Sequence, residues 1–303
     1  MGKLVYETAL HKGESGALES YWPDYISVAQ LLATKTRQGS VYFNASYQND
    51  PSGLEGNILK GAWLHPYLPE EILAYRDEHG PGATFVGVDP TFGGEGTNPD
   101  FMAMSSIELL GNRAFLTDFF VRRVGVKGQA ILIDSWLELQ NPHLTALEEI
   151  ATKGYVYTDL TENLYDNKGT RFSIEVVKPG RVAKAQRFLQ MAARFESAQI
   201  RIPGILTPEG DVVVDPRWDP FCEQWRAFPS GHDDILDAVY WASFIAFRGT
   251  VAGGSMRDPG EPRKPKPEDE QPPEPYVPVD RRGLPVRSIG SHRTRLSLGR
   301  LRQ

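Results

Sequence analysis

Two acidic signals stand at the ends of apolar runs. Thr84-Phe85-Val86-Gly87-Val88-Asp89-Pro90 reads as a strand that delivers a carboxylate and then breaks. Gly231-His232-Asp233-Asp234-Ile235-Leu236-Asp237-Ala238 places three aspartates at the opening of an otherwise apolar helix. Aspartate is depleted in strands, and gathered like charges repel one another. Such a group calls for a compensating cation, and hard carboxylate oxygens suit Mg²⁺ or Mn²⁺. Two such ions about 4 Å apart can activate water and stabilise the departing oxygen of a phosphodiester. Positions 233 and 237 share one helix face, and 234 and 237 are also neighbours. Plainer readings stand beside this one. An aspartate before proline suits a turn, and one or two acids at a helix start offset its dipole without a third.

A further carboxylate is available at Glu148 or Glu149, which end the stretch Leu144-Thr145-Ala146-Leu147. Strand alternation sends the two to opposite faces, so only one can join the others. A charged helix start is the other reading of this pair.

The elements that must position these acids emerge from periodicity. A strand is expected over 84–89, and two strands over 101–109 and 113–121 flank Gly111-Asn112 as an antiparallel hairpin. Ile131, Leu132, Trp136, Leu137 and Leu139 fit an amphipathic helix over 126–140, closed by Asn141-Pro142. A short strand comes next near 144–149, then a helix over 181–196 with Val182, Ala185, Phe188, Leu189 and Ala192 on one face. The last helix, 233–247, is apolar after its first turn and should be buried. Ser27 can cap a helix over 28–37, whereas 42–51 shows no clear periodicity. Strand, hairpin, helix, strand and late acidic helix describe an α/β chain of ribonuclease-H-like type, a mixed central sheet flanked by helices.

Three zones emerge. Residues 1–80 form a loop-rich N-terminal extension packed on the core, 81–248 the α/β domain, and 249–303 a tail expected to be disordered. The tail carries eight prolines between 259 and 278, then seven arginines and no acid over 281–303. That end is either a solvated segment or an arm for phosphates or an acidic partner. The 303 residues carry a net charge of −6, which argues against a uniformly basic nucleic-acid coat but not against a local patch. Cys222 is the sole cysteine, so disulfides within the chain and cysteine zinc cages are excluded. With no apolar run approaching 18 residues and no apolar signal core, a soluble intracellular protein is expected, with no membrane partner.

The order of these pieces resembles the nuclease domain of tailed-phage large terminases, which cut concatemeric DNA during genome packaging. The matching segments are Gly87-Val88-Asp89-Pro90, Glu148-Glu149-Ile150-Ala151, Lys184 and Arg187 on a helix leading to Phe195-Glu196, Ile200-Arg201-Ile202-Pro203, and Phe228-Pro229-Ser230-Gly231-His232-Asp233-Asp234-Ile235-Leu236-Asp237-Ala238. Upstream, Tyr21-Trp22-Pro23, Tyr47-Gln48-Asn49-Asp50-Pro51 and Trp63-Leu64 resemble the connector before that nuclease, so the likeness covers about 20–248. It implies Asp89 as first metal ligand, Glu148 (or Glu149) as second, and Asp233 or Asp234 as third, Asp234 slightly favoured. Glu148 is preferred because the family places a small residue three positions on, where Ala151 stands. Asp237 becomes a further ligand or an orienting group, as does His232, while Lys184 and Arg187 become DNA phosphate contacts or partners of the acids. The implied activity is a Mg²⁺- or Mn²⁺-dependent endodeoxyribonuclease on double-stranded DNA in the host cytoplasm, outside the virion. A small terminase subunit, a portal and an ATPase motor are the implied partners. No Gly-x-x-x-x-Gly-Lys-Ser/Thr loop occurs, so either the motor is a separate polypeptide or this chain is a fragment or derivative of a split gene. A resolvase- or transposase-like nuclease and a non-catalytic packaging adaptor are the competing expectations.

Overall fold

The computed structural model describes residues 7–54, 58–91, 101–149, 155–160, 172–180 and 182–248. The expected tail, and Ile150 and Ala151, lie outside them. A small antiparallel pair, β1 (Leu10–Lys12) and β2 (Leu18–Ser20), precedes α1 (Val28–Gln38), α2 (Ser40–Tyr47), β3 (Pro66–Tyr67) and α3 (Pro69–His79). The central elements are β4 (Ala83–Asp89), β5 (Phe101–Leu110), β6 (Arg113–Arg123), α4 (Val126–Gln140), β7 (Leu144–Glu148), α5 (Tyr155–Thr158) and β8 (Ile174–Val177). The chain continues through α6 (Lys184–Glu196), β9 (Ile200–Leu206), β10 (Val212–Val214), α7 (Asp219–Ala227) and α8 (Asp234–Phe247).

Ten to eleven residues of near-continuous apolar or alternating sequence make β5 and β6, and Gly111 at φ 57° supplies the left-handed turn between them. β4, β5 and β6 form an antiparallel meander. The chain then crosses through α4 to lay β7 parallel to β4, and β8 parallel to β7. The order β6-β5-β4-β7-β8, antiparallel on one side and parallel on the other, is the ribonuclease-H-like arrangement. It is extended by β9 parallel to β6 and by β10 at the edge, giving eight strands with β3 paired beside β9.

The pleat separates two cores. Val86, Val88, Met102, Met104 and Leu147 face α4 through Ala130, Ile133, Trp136 and Leu137. Phe85, Ala103, Ile107 and Ala146 face α6, α7 and α8 in the larger cluster. The helix α4 ends where expected because Asn141 adopts the left-handed conformation, φ 45°, with its N–H donated to the Leu137 carbonyl.

Residues 7–80 hold more regular structure than their sequence pattern announces. The unpatterned 42–51 stretch begins inside α2, where Phe43 is buried and stacks on Tyr47 at 5.1 Å. Its helix is decided by docking, since no polar–apolar period marks it. Ser27 caps α1 as expected, in a reciprocal box with Gln30. Hydrogen bonds fasten this region to the rest: the Ser40 N–H to Glu196 Oε2 at 2.8 Å, the Tyr67 hydroxyl to the Leu116 carbonyl at 2.6 Å, and the Trp225 indole to the Lys60 carbonyl at 3.0 Å. No described helix is long and apolar enough to cross a membrane.

Candidate active site

The carboxylates converge because two parallel strands end side by side under one helix. Val88 of β4 pairs with Leu147 of β7, so Asp89 and Glu148 are the next residues of adjacent strands on the same face. That face is covered by α8, which comes unusually near. A Cβ built on Gly87 would lie 1.9 Å from the Ala238 carbonyl oxygen and 2.5 Å from the Ala242 nitrogen. Glycine at 87, with alanines at 238 and 242, lets the helix backbone rest on the strand and brings its acidic first turn over Asp89.

Several uncharged side chains hold this end in place. The buried Gln129 of α4 reads Thr91 like a strand neighbour, accepting from its N–H at 3.2 Å and donating to its carbonyl at 2.7 Å. This clamps the chain just past Asp89-Pro90. Gln224 of α7 accepts the Ile235 N–H at 2.9 Å, satisfying one open donor of the α8 N-terminus. Asp233, at the N-cap position, makes no capping hydrogen bond and is drawn elsewhere.

Its partner is Lys184, the first residue of α6. The ammonium stands 2.7 Å from Asp233 Oδ2 and 2.6 Å from Asp237 Oδ2, bridging the pair that helical spacing places on one face. Arg187, one turn on, brings Nη1 within 3.6 Å of Asp237 Oδ1 and lies over the Tyr240 and Trp241 rings at 5.2 and 5.4 Å. Both expected basic residues thus pair with the α8 acids. His232 Nδ1 lies 3.6 Å from Asp234 Oδ2.

Glu148 and Glu149 part company. The Trp241 indole donates to Glu148 Oε2 at 2.8 Å, holding that carboxylate toward α8. Glu149 instead pairs with the exposed Lys178 at 2.8 Å.

The electrostatics reflect crowding. Desolvation, then the charges of Asp237, Glu148 and Asp234, push the Asp89 pKa well above its usual range against a smaller pull from Lys184. Burial likewise raises Asp237 to about 7, although Lys184 opposes the shift. Desolvation works against the Lys184 ammonium, yet Asp237 and Asp233 outweigh it and hold its pKa above normal.

The chemistry of the donor set fits a hard divalent ion. Five carboxylates, Asp89, Glu148, Asp233, Asp234 and Asp237, meet two fixed cations, and the buried Asp237 Oδ1 has no hydrogen-bond partner among the described residues. One or two divalent ions would balance that excess. Among the described residues, no group of three or more His, Cys, Asp or Glu side chains is placed to hold a metal ion. The fit therefore rests on donor type and charge.

The sequence matches no protein-family model and no curated protein. Solved structures that it resembles include terminase nuclease domains, a large terminase and RuvC. The human cytomegalovirus terminase nuclease domain, Mn-soaked and inhibitor-bound, is 13% identical over 54% of this chain and 83% of its own, with a TM-score of 0.37. The large terminase of a thermophilic bacteriophage is 11% identical, with a TM-score of 0.46; the match covers 73% of this chain and 52% of that one. Thermus thermophilus RuvC bound to a Holliday junction is 12% identical over 56% of this chain and 96% of its own, with a TM-score of 0.33. At such identities the reading of the site rests on the residues of this chain.

Trp241, Gln129 and Gln224 are not among the residues that motif and spacing single out. A tryptophan on a buried helix needs a partner for its indole N–H, which is a usable signal for Trp241. For the two glutamines the sequence carries none, since their partners are main-chain groups on other elements.

Proposed function

We propose that this chain is a divalent-metal-dependent endodeoxyribonuclease, the nuclease component of a viral genome-packaging terminase. The observation that carries the reading is the convergence of Asp89, Glu148 and the α8 aspartates from three separate elements into one mutually repelling group. A scaffold with no chemistry to perform gains nothing from that repulsion. The ordered motif series from Asp89 to Asp237 supports the packaging role.

In this reading residues 81–248 are the nuclease domain, 1–80 the connector and 249–303 a tail. Asp89, Glu148, Asp233, Asp234 and Asp237 would hold Mg²⁺ or Mn²⁺, two ions in the full complement. The bound metal supplies a water nucleophile at neutral pH and charge stabilisation for the phosphoryl oxygens. The protein's own contribution is positional. Trp241 fixes the Glu148 rotamer, Gln129 fixes the strand exit that aims Asp89, Lys184 ties Asp233 to Asp237, and Arg187 holds Asp237 from its other oxygen. Duplex DNA is the substrate and the host cytoplasm the place of action. An ATPase motor, a small terminase subunit and a portal are the partners.

Purified protein should nick plasmid DNA with Mg²⁺ or Mn²⁺ and stop in EDTA, and Asp89→Ala should be inactive while still folded. Cleavage by Asp89→Ala at the wild-type rate would remove this site from consideration. A resolvase-like enzyme of the same fold is the second reading, and strong preference for four-way junctions over linear duplex would select it.

A further inference from the structure

The fixed cations nearest the carboxylates are committed to them, since Lys184 bridges Asp233 and Asp237 and Arg187 faces Asp237. A polyanionic substrate brought to this group needs positive charge from elsewhere. The sheet register identifies where.

Asp89 pairs with Ala103, Ala103 with Val121, and, two residues further along the same strands, Phe101 pairs with Arg123. The two-residue side-chain period keeps Asp89, Ala103, Phe101, Val121 and Arg123 on one face. Arg122, opposite Met102, belongs to the other face, with its guanidinium over Phe120 at 5.4 Å. Two residues along and two strands across put the Arg123 Cα about 12 Å from that of Asp89. Along one DNA strand that is about four nucleotide steps of rise.

Arg123 is exposed, and it takes part in none of the ion pairs among the described residues. Its guanidinium lies over the Phe101 ring at 4.6 Å from the centroid. Phe101 meets the His232 ring edge-on at 5.2 Å, and His232 stands 3.6 Å from Asp234. A continuous surface thus runs from Arg123 through Phe101 and His232 to the acidic turn of α8. Stacking on an aromatic ring orients a guanidinium while leaving its N–H edges open to a planar, bidentate oxygen pair.

We propose that Arg123, oriented by Phe101, is a DNA phosphate contact on the carboxylate face, gripping the strand within a few nucleotides of the cut. The assignment rests on the nuclease reading and adds the residue that tethers its substrate.

The test uses the full chain and a labelled linear duplex in Ca²⁺, with affinity measured over a series of salt concentrations. Arg123→Ala should weaken binding about 5–10-fold at low salt and reduce the slope of log affinity against log salt by about 1, the signature of one lost phosphate contact. Arg123→Lys keeps the charge without the fork and should restore that slope with only part of the affinity. Arg122→Ala, the same chemistry one residue away on the opposite face, should stay within about twofold of wild type. Arg123→Ala binding like wild type, or Arg122→Ala losing as much, overturns the assignment while leaving the nuclease reading intact if wild type still cuts in Mg²⁺. Wild-type protein that neither binds nor cuts overturns both.

Discussion

Asp89 and Asp237 carry a cost that a metal would relieve, and the cost has a definite pH sign. Both carboxyls have folded-state pKa values raised above those of the unfolded chain, to about 7 for Asp237. The folded state therefore binds more protons between about pH 4 and 7, and stability falls as pH rises through that window. Metal-free protein should show a melting temperature that drops from about pH 5 to pH 8, with the loss reversed by Mg²⁺ or Mn²⁺. Asp89→Asn removes one repelling charge. At pH 8 it should gain about 1 kcal/mol of metal-free stability by calorimetry while losing cleavage. A destabilised Asp89→Asn protein would show that repulsion is not the dominant force there. Glu148 and Glu149 form a second test. Glu148→Gln should cost cleavage more than about 100-fold, Trp241→Phe about 10–100-fold as the loss of an orienting donor, and Glu149→Gln little, because Glu149 meets only the exposed Lys178. Equal losses at 148 and 149 in single-turnover rates would contradict the placement.

The junction of β4 and α8 is the element on which the site depends. No Cβ fits at 87 without moving the α8 backbone at Ala238 and Ala242. Gly87→Ala should destabilise the fold by about 1–3 kcal/mol or more, and any folded fraction should cleave poorly because the acidic turn is lifted from Asp89. Chemical denaturation and activity per folded molecule separate the two effects; a Gly87→Ala protein with unchanged stability would show that the helix can shift at no cost. The structure also refines two element boundaries. The α6 helix begins at Lys184 rather than 181, after Gly180 turns the chain at φ 67°. Asp233 stands outside α8 at φ −143°, where its carboxylate turns to Lys184 and leaves helix capping to Gln224.

At the scale of the whole molecule, the chain joins an acidic centre to a strongly basic end, with seven arginines and no acid over 281–303. Truncation after residue 250 should leave turnover on saturating DNA nearly unchanged and weaken DNA binding at low salt, with the difference fading as salt rises. Binding curves of full-length and truncated protein that superimpose at two salt concentrations would assign the arginines to a protein partner instead. The segment before residue 80 is tied to the α/β domain by contacts far apart in sequence, such as Ser40 to Glu196 and Lys60 to Trp225.

The central strands, the 101–123 hairpin, α4 with its stop at Asn141 and the buried α8 were legible in the sequence, because periodicity, turn residues and caps act within a few residues of one another. So was the one-face spacing of Asp233 and Asp237, which is a property of any helix. Short elements such as β8, β9, β10 and α7 were not, since their burial comes from neighbours rather than from their own pattern; β9 even carries Pro203. Only tertiary structure decided that Lys184 bridges Asp233 and Asp237, 49 and 53 positions away (184 to 233 and to 237), and that Trp241 holds Glu148, 93 positions away. It also decided that Arg123 lies open on the carboxylate face. A side chain's charge is written in the chain, but the partner that charge meets depends on which faces the sheet register and the close approach at Gly87 bring together.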